Sequence, residues 1–501
     1  LKMSAKTPLQ DLVVILPGIL GSVLQKDGKD LWGVSTGAIW NILISQGNAL
    51  NALNIQQDDP DAENLDDGIK AVRLVEDVTI IPGFIKVDGY TRTTKMITEN
   101  FANVTQGNIY LDPDDRPANL YHFPYDWRRD NRANAKILKR LLAKRLKCWR
   151  EHTGNPNAKV ILLAHSMGGL ISRYYLEVLG GWPDCKALFT FATPYRGSIL
   201  PVDFLANGYK QAFIDLTRVL RSMTSVYQLL PRYKALKIGN EYYRIAESPV
   251  ELPNIDRVKA IDALKFHDSI DDAADINQHN PIYRSSFVTC PIVGVVQPTK
   301  QSAEVVDGKI ITSETLPTWL QNRPNLSDGD GTVPQVSATP VQMGDREMLT
   351  LVDYIAESHG AVQNQPNTLL NLLKRIQSAQ TASLEDVRGG IEAVAPRGAR
   401  GLKGIGLSLD DLYLTNEPIT MRAKVAEGTA FNSLTAEITC VSEERFPVRR
   451  NFTAENGTWL MTADNLASGV YRVKVQTDNT SEDTPNPVHN SFVVTDLNGG
   501  I

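Results

Sequence analysis

Leu12-Val13-Val14-Ile15-Leu16 is an unbroken apolar run that Pro17-Gly18 stops, and the pattern returns at Val160-Ile161-Leu162-Leu163, Ala187-Leu188-Phe189-Thr190-Phe191 and Val293-Gly294-Val295-Val296. Short runs without alternation are expected of strands covered on both faces of a parallel sheet. Between the first two, Ile137, Leu138, Leu141, Leu142 and Trp149 recur along one side of a helix. Buried strands alternating with amphipathic helices predict an α/β domain. A terminal helix at 369–376 precedes a stretch, about 377–403, of Ser, Gly, Arg and Ala with little periodicity, which reads as a linker. Beyond it, short strand-like segments at 419–425, 434–441, 458–462, 470–477 and 492–495 are punctuated by turns such as Asn456-Gly457. Strands without a helix predict a small immunoglobulin-like β-sandwich. The expected organisation is therefore a large domain over 1–378, a linker over 379–403 and a sandwich over 404–501.

A chain of 501 residues exceeds what one core usually supports, which agrees with two domains. The net charge of -5 gives no reason to expect a nucleic-acid partner. No run approaches the ~18 apolar residues of a membrane span. Leu1-Lys2-Met3 leads into the Leu12 strand without room for a removable leader, so the leader was trimmed or never existed, and a cytoplasmic setting is expected. Cys148, Cys185, Cys290 and Cys440 lack the spacing of a metal site or a disulfide scaffold and read as buried free thiols.

Chemistry concentrates at Ala164-His165-Ser166-Met167-Gly168-Gly169, between a buried strand and the helical pattern Leu170, Tyr174, Leu176. A serine on so sharp a turn is exposed at the top of the sheet and needs small neighbours, because the backbone folds back closely there. Ala164 stands where such an elbow usually has glycine. A serine hydroxyl needs a base held by a third group, in the chain order Ser, acid, His. Of the seven histidines, only His359 follows the acid-bearing loop Asp328-Gly329-Asp330-Gly331 and precedes the sandwich. Asp330, directly before Gly331-Thr332-Val333-Pro334, is preferred as the acid over Asp328, which reads as a turn former. The N–H of Met167 and that of Ile19, in the loop after the first strand, are the candidate oxyanion donors.

Further matching text makes the comparison specific: Pro17-Gly18-Ile19-Leu20-Gly21, Pro124-Tyr125-Asp126-Trp127-Arg128, Ala192-Thr193-Pro194-Tyr195-Arg196-Gly197 and Ser358-His359. With the elbow and the Asp328–Val333 loop, these segments resemble the lecithin:cholesterol acyltransferase family, which includes lysosomal phospholipases and phospholipid:diacylglycerol acyltransferases. The resemblance runs from about 11 to 375 and implies an α/β-hydrolase fold. It also implies a triad of Ser166, Asp330 and His359, an oxyanion hole at Ile19 and Met167, and no cofactor or metal. Cap or lid insertions, about 31–74 and 199–285, would govern lipid access. Two departures stand out: the early insertion lacks the cysteines of secreted animal members, and Ile19 occupies a position often acidic in lysosomal ones.

Phe213, Leu216, Leu220, Met223, Tyr227 and Leu230 fall at helical spacing, as core or as a cap lining an acyl pocket. Trp32, Ile39, Trp40, Ile42, Leu43 and Ile44 suit either core or a contact with a lipid surface. The basic run Arg128 to Arg150 reads as a solvated helix face, with anionic lipid as the alternative. The expected activity is that of a serine esterase on lipid acyl esters through an acyl-enzyme: a phospholipase or lysophospholipase, with acyl transfer to an alcohol as a further outcome. The expected partner is the lipid ester, with peripheral contact to a lipid surface. The alternatives are an esterase or thioesterase for small soluble esters, and a binding scaffold on a retired hydrolase core.

Overall fold

In the computed structural model, alternate residues of the first strand belong to different cores. It describes residues 6–32, 51–211, 214–381, 384, 402–426, 431–479 and 484–496. Leu12, Val14 and Leu16 cluster with Leu138, Leu142 and Leu162, whereas Val13 and Ile15 cluster with Ile161, Leu163, Leu372 and Ile376. Period-two side chains explain why the run is apolar throughout, since both faces are covered. Each such side chain contributes about 1.5–3 kcal/mol on burial.

Seven strands form this sheet: β1 (Leu12–Leu16), β2 (Gln106–Asn108), β3 (Leu120–His122), β4 (Val160–His165), β5 (Cys185–Phe191), β6 (Val288–Gly294) and β7 (Asp353–Ile355). Their order is β7-β6-β5-β4-β1-β3-β2, and every pairing is parallel. The helices that matter here are α1 (Thr91–Asn100), α2 (Asn131–Thr153), α3 (Met167–Arg173), α4 (Arg257–Gln278) and α5 (Pro366–Thr381). Helix α2 is capped by Asp130, whose side chain accepts from Arg132 N–H, and ends at Gly154 with φ of 65°. A second, mixed sheet joins Leu236–Ile238 and Glu241–Tyr243 to the hairpin Ser302–Val306/Lys309–Ser313, so strands within 199–285 pair with strands beyond residue 285. Among the described residues no helix is long and apolar enough to cross a membrane.

Three segments that the sequence left between packing and lipid contact make specific contacts within the chain. Trp32 is core: it is buried, its Nε1 donates to Leu20 O at 2.9 Å, and its ring meets Trp127 edge-on at 5.7 Å. Local hydrophobicity could not identify Trp127 as its partner; Ile39, Trp40, Ile42, Leu43 and Ile44 lie outside the described residues. The stripe from Leu216 to Leu230 is buried, but it is two short helices, Thr217–Ser222 and Thr224–Tyr227, separated where Met223 turns extended at ψ 121°. Ser222 Oγ bonds back to Val219 O at 2.7 Å and accepts from Ile55 N–H, which competes with continuing the helix. Phe213 lies outside the described residues. The basic run is matched by acids: Arg128 with Asp67 and Asp126, Arg129 with Asp58, Lys136 with Asp61, Arg140 with Glu63, Lys144 with Asp114 and Arg150 with Asp184. Arg145 is buried on the carbonyls of Ile109 and Asp112. Most of the cations in this run therefore have acidic or carbonyl partners within the chain.

The C-terminal strands form a sandwich of a four-stranded and a five-stranded sheet. Ile419, Met421 and Ala423 point inward against Ile438, Val473 and Phe492, with polar residues between them facing out. Its seat on the core has an apolar part, where Val470 and Val493 join the cluster that holds Ile80 and Ile81, and a specific polar part. Asp88 pairs with Arg472, Gln297 Nε2 donates to Ile405 O at 3.0 Å, and Ser358 Oγ donates to His489 O at 2.6 Å. The fully buried carboxylate of Glu357 accepts from His489 N at 2.8 Å and from His489 Nδ1 at 2.8 Å.

These contacts brace the segment next to His359. A chain ending at Thr381 is therefore expected to melt on the order of 5 °C below the core transition of the full chain. Scanning calorimetry of both chains checks this; an unchanged core transition would mean that the sandwich folds without supporting the core.

Candidate active site

Strand β4 ends at His165, helix α3 begins at Met167, and Ser166 between them takes φ of 50° and ψ of -122°. A non-glycine residue there is strained, and tight local packing holds it. Ser166 N–H donates to Phe191 O at 2.8 Å, while Ser166 O accepts from Gly169 N–H at 3.0 Å and Thr193 Oγ1 at 3.0 Å. The small neighbours have a reason that can be measured: a β-carbon on Gly168 would lie 2.5 Å from Pro17 O, and one on Gly169 2.1 Å from Thr193 Oγ1.

His359 Nδ1–H donates to Asp330 Oδ2 at 2.8 Å, and Ser166 Oγ–H faces His359 Nε2 at 3.0 Å. The tautomer follows from the carboxylate, which only accepts. The main chain fixes the same pair, since His359 N–H donates to Asp330 O at 2.8 Å. Asp330 is oriented in turn by Thr332 N–H at 2.9 Å and Val333 N–H at 2.6 Å, both on Oδ1. Asp328 is placed otherwise: its carboxyl takes the Val296 N–H, and burial pushes it up to about 6. The structure thus brings Ser166, Asp330 and His359 together and leaves Asp328 apart.

Both candidate oxyanion donors lie on segments that border Ser166. Met167 is the first residue of α3, so its N–H has no acceptor within the helix. Ile19 is buried in the loop after β1, where a β-carbon on Gly18 would lie 2.9 Å from Ser166 Cβ. A cavity of about 240 Å3 opens beside His359 and Asp330, walled by Phe84 and Ile85 on the core and by Leu407, Leu409 and Asn490 on the sandwich. Sequence reasoning assigned no role to Tyr90, Tyr125 or His165, which close around the same loop. No spacing rule links Tyr90 to an elbow 75 residues away. No group of three or more His, Cys, Asp or Glu side chains among the described residues is arranged to hold a metal.

Against known proteins, residues 99–278 match the family profile described as lecithin:cholesterol acyltransferase, a segment that contains Ser166 but neither Asp330 nor His359. This agrees with the resemblance carried by the motifs. Solved structures with similarity include the mature form of the Bacillus licheniformis lipase BlEst2, at 14% identity over 75% of this chain and 93% of that one, TM-score 0.30. The propeptide form of the same lipase aligns at 12% identity over 97% and 95%, TM-score 0.31. Phospholipase PlaB from Legionella pneumophila aligns at 10% identity over 97% and 92%, TM-score 0.25. No curated protein sequence matches significantly.

Burial holds three histidines neutral: His165 falls to about 3, the nearby His359 adding to the effect, and His122 and His267 fall to about 4. In the unfolded chain each would titrate near 6.5. Their uncharged burial thus contributes stability that is complete above about pH 6.5 and is lost as pH falls toward the folded values. The melting temperature is expected to drop between about pH 6.5 and about pH 4, and His267→Gln, remote from Ser166, should reduce that slope. Thermal scans across this range check it; a flat profile contradicts it.

Proposed function

We propose that the chain is a serine esterase acting on lipid acyl esters, a phospholipase or lysophospholipase that works through an acyl-enzyme. The observation that carries this reading is the single imidazole, His359, bonded at once to Asp330 Oδ2 at 2.8 Å and facing Ser166 Oγ at 3.0 Å. Ser166 Oγ attacks the ester carbonyl as its proton passes to His359 Nε2. Asp330 orients the ring and stabilises the cation that forms. The N–H groups of Met167 and Ile19 receive the oxyanion. Collapse of the tetrahedral intermediate breaks the ester C–O bond, and His359 returns the proton to the leaving alcohol. Water then attacks the acyl-Ser166 ester with His359 as base. An alcohol in place of that water gives acyl transfer through the same intermediate. The sequence requires no cofactor or metal ion for these steps.

The family match over 99–278 favours lipid esters over small soluble ones. The alternative, an esterase for small esters, predicts turnover that does not rise when substrate is presented in micelles. The scaffold reading predicts no reaction of Ser166 at all.

Ser166→Ala and His359→Ala are each expected to abolish labelling by a fluorophosphonate while leaving the melting temperature within about 3 °C, because members of such a unit fail together. Asp330→Asn should lower kcat by about 10³–10⁴-fold, and Asp328→Asn by less than about tenfold. Steady-state kinetics on a soluble ester decide. Ester hydrolysis by Ser166→Ala at the wild-type rate sinks the proposal, and equal losses at Asp328 and Asp330 sink the assignment of the acid.

A further inference from the structure

The second oxyanion donor lies in a loop whose sequence leaves its geometry open. Gly18 follows Pro17, and glycine tolerates either orientation of the adjoining peptide plane. Something other than local sterics must therefore fix the Pro17–Gly18 peptide. Two buried tyrosines do so from opposite edges. Tyr125 Oη–H donates to Pro17 O at 2.8 Å, and Gly18 N–H donates to Tyr90 Oη at 2.8 Å. These are the carbonyl and the amide of one peptide unit, so the two hydroxyls hold it as a clamp holds a plate. The next unit follows: Gly18 O accepts from Gly21 N–H at 3.0 Å, and the N–H of Ile19 points opposite to that carbonyl.

Tyr90 reaches further. Its hydroxyl lies 2.9 Å from His165 Nδ1, and His165 Nε2 lies 3.0 Å from His359 O. A carbonyl only accepts, so Nε2 carries the proton, Nδ1 is bare, and Tyr90 O–H donates to it. The bonds form one directed chain, from Gly18 N–H through Tyr90 and His165 to the main chain of His359. The side chains of this chain and of the clamp are all buried, Tyr90 at 2% exposure, Tyr125 at 1% and His165 at 1%. Burial keeps both phenols protonated, and so available to donate.

We propose that Tyr90 and Tyr125 are positioning residues for acyl transfer, which lock the Pro17–Gly18 peptide so that the Ile19 N–H is set for the oxyanion, with Tyr90 also tying that loop through His165 to His359. This rests on the serine-esterase reading above. Neither tyrosine touches the reacting atoms; each acts through the loop.

The test uses the full chain with Tyr90→Phe, Tyr125→Phe and the double variant, which remove only hydroxyls. The readouts are kcat and KM on a soluble p-nitrophenyl ester, the inhibition constant of a trifluoromethyl ketone that forms a tetrahedral oxyanion on serine, and melting temperature. Each single variant should lose about 10- to 100-fold in kcat with KM changed less than about threefold, and the ketone should weaken in step. Because both hydroxyls hold one peptide, the double variant should fall less than about threefold below the worse single. Multiplicative losses, an unchanged kcat, or ketone affinity that does not follow kcat overturns the clamp. Should Tyr90→Phe fail to fold, Tyr125→Phe decides alone, and wild-type kcat and ketone affinity in that variant overturn it. A wild-type chain that neither hydrolyses the ester nor reacts with a fluorophosphonate defeats the esterase reading instead, which separates the two failures.

Discussion

The left-handed backbone at Ser166 is the constraint around which the site is arranged. A non-glycine residue at φ of 50° costs about 1–3 kcal/mol and persists only where surrounding packing over-determines it. The sheet supplies that packing. Ala164 pairs with Leu16 and His165 with Phe191, so the loop after β1 and the turn after β5 necessarily flank the elbow after β4. That register explains why Gly18 lies against Ser166 and why Thr193 can bond its carbonyl. Strand β6 supplies the next neighbour, since Gly294 faces the β-carbon of Asp330 so closely that a methyl there would stand 2.5 Å away.

Much of this was legible in the sequence. The apolar runs mark the central strands because covering both faces leaves no polar position. Ser166, Asp330 and His359 could be chosen because the chemistry dictates residue types and chain order, and the geometry brings those three together. Features that depend on distant partners were not legible. Trp32 reads equally as core or as a lipid contact until Trp127 is known to lie beside it. The cations of the run from Arg128 to Arg150 read as a basic face until Asp58, Asp61 and Glu63, more than 60 residues away in sequence, are found paired to Arg129, Lys136 and Arg140. Tyr90 carries no signal, because its hydroxyl matters only through Gly18 and His165.

The sandwich illustrates the same limit at the level of domains. Short strand-like segments punctuated by turns, with no helix, marked it as a sandwich, but they describe a unit and say nothing of a seat. Val470 and Val493 give the seat an apolar part, and its polar part is made of side chains that look like ordinary surface in the sequence: Asp88, Glu357, Arg472 and His489. Glu357 is the sharpest case. A fully buried carboxylate is costly unless donors surround it, and His489 supplies both its N–H and its ring N–H. Because Glu357 and Ser358 immediately precede His359, the sandwich and the proposed general base share one stretch of backbone. Part of the wall beside that base, Leu407 and Leu409, likewise belongs to the sandwich.

Electrostatics complete the arrangement. The proposed chemistry places a positive charge on His359 at each step, and the ring of His165 is centred only 5.1 Å from it. A charged His165 would oppose that cation in a site where little solvent screens the interaction. Burial removes the conflict by depressing His165 to about 3, and the bonds to Tyr90 and to His359 O then select a single neutral tautomer. His165 therefore serves the elbow as a rigid, uncharged spacer, and the negative charge of Asp330 is left as the nearest compensation for the imidazolium. A lysine or arginine in place of His165 would bring the opposing charge with it, and an apolar residue would leave the hydroxyl of Tyr90 and the carbonyl of His359 without this partner. Histidine kept neutral by burial meets both demands at once.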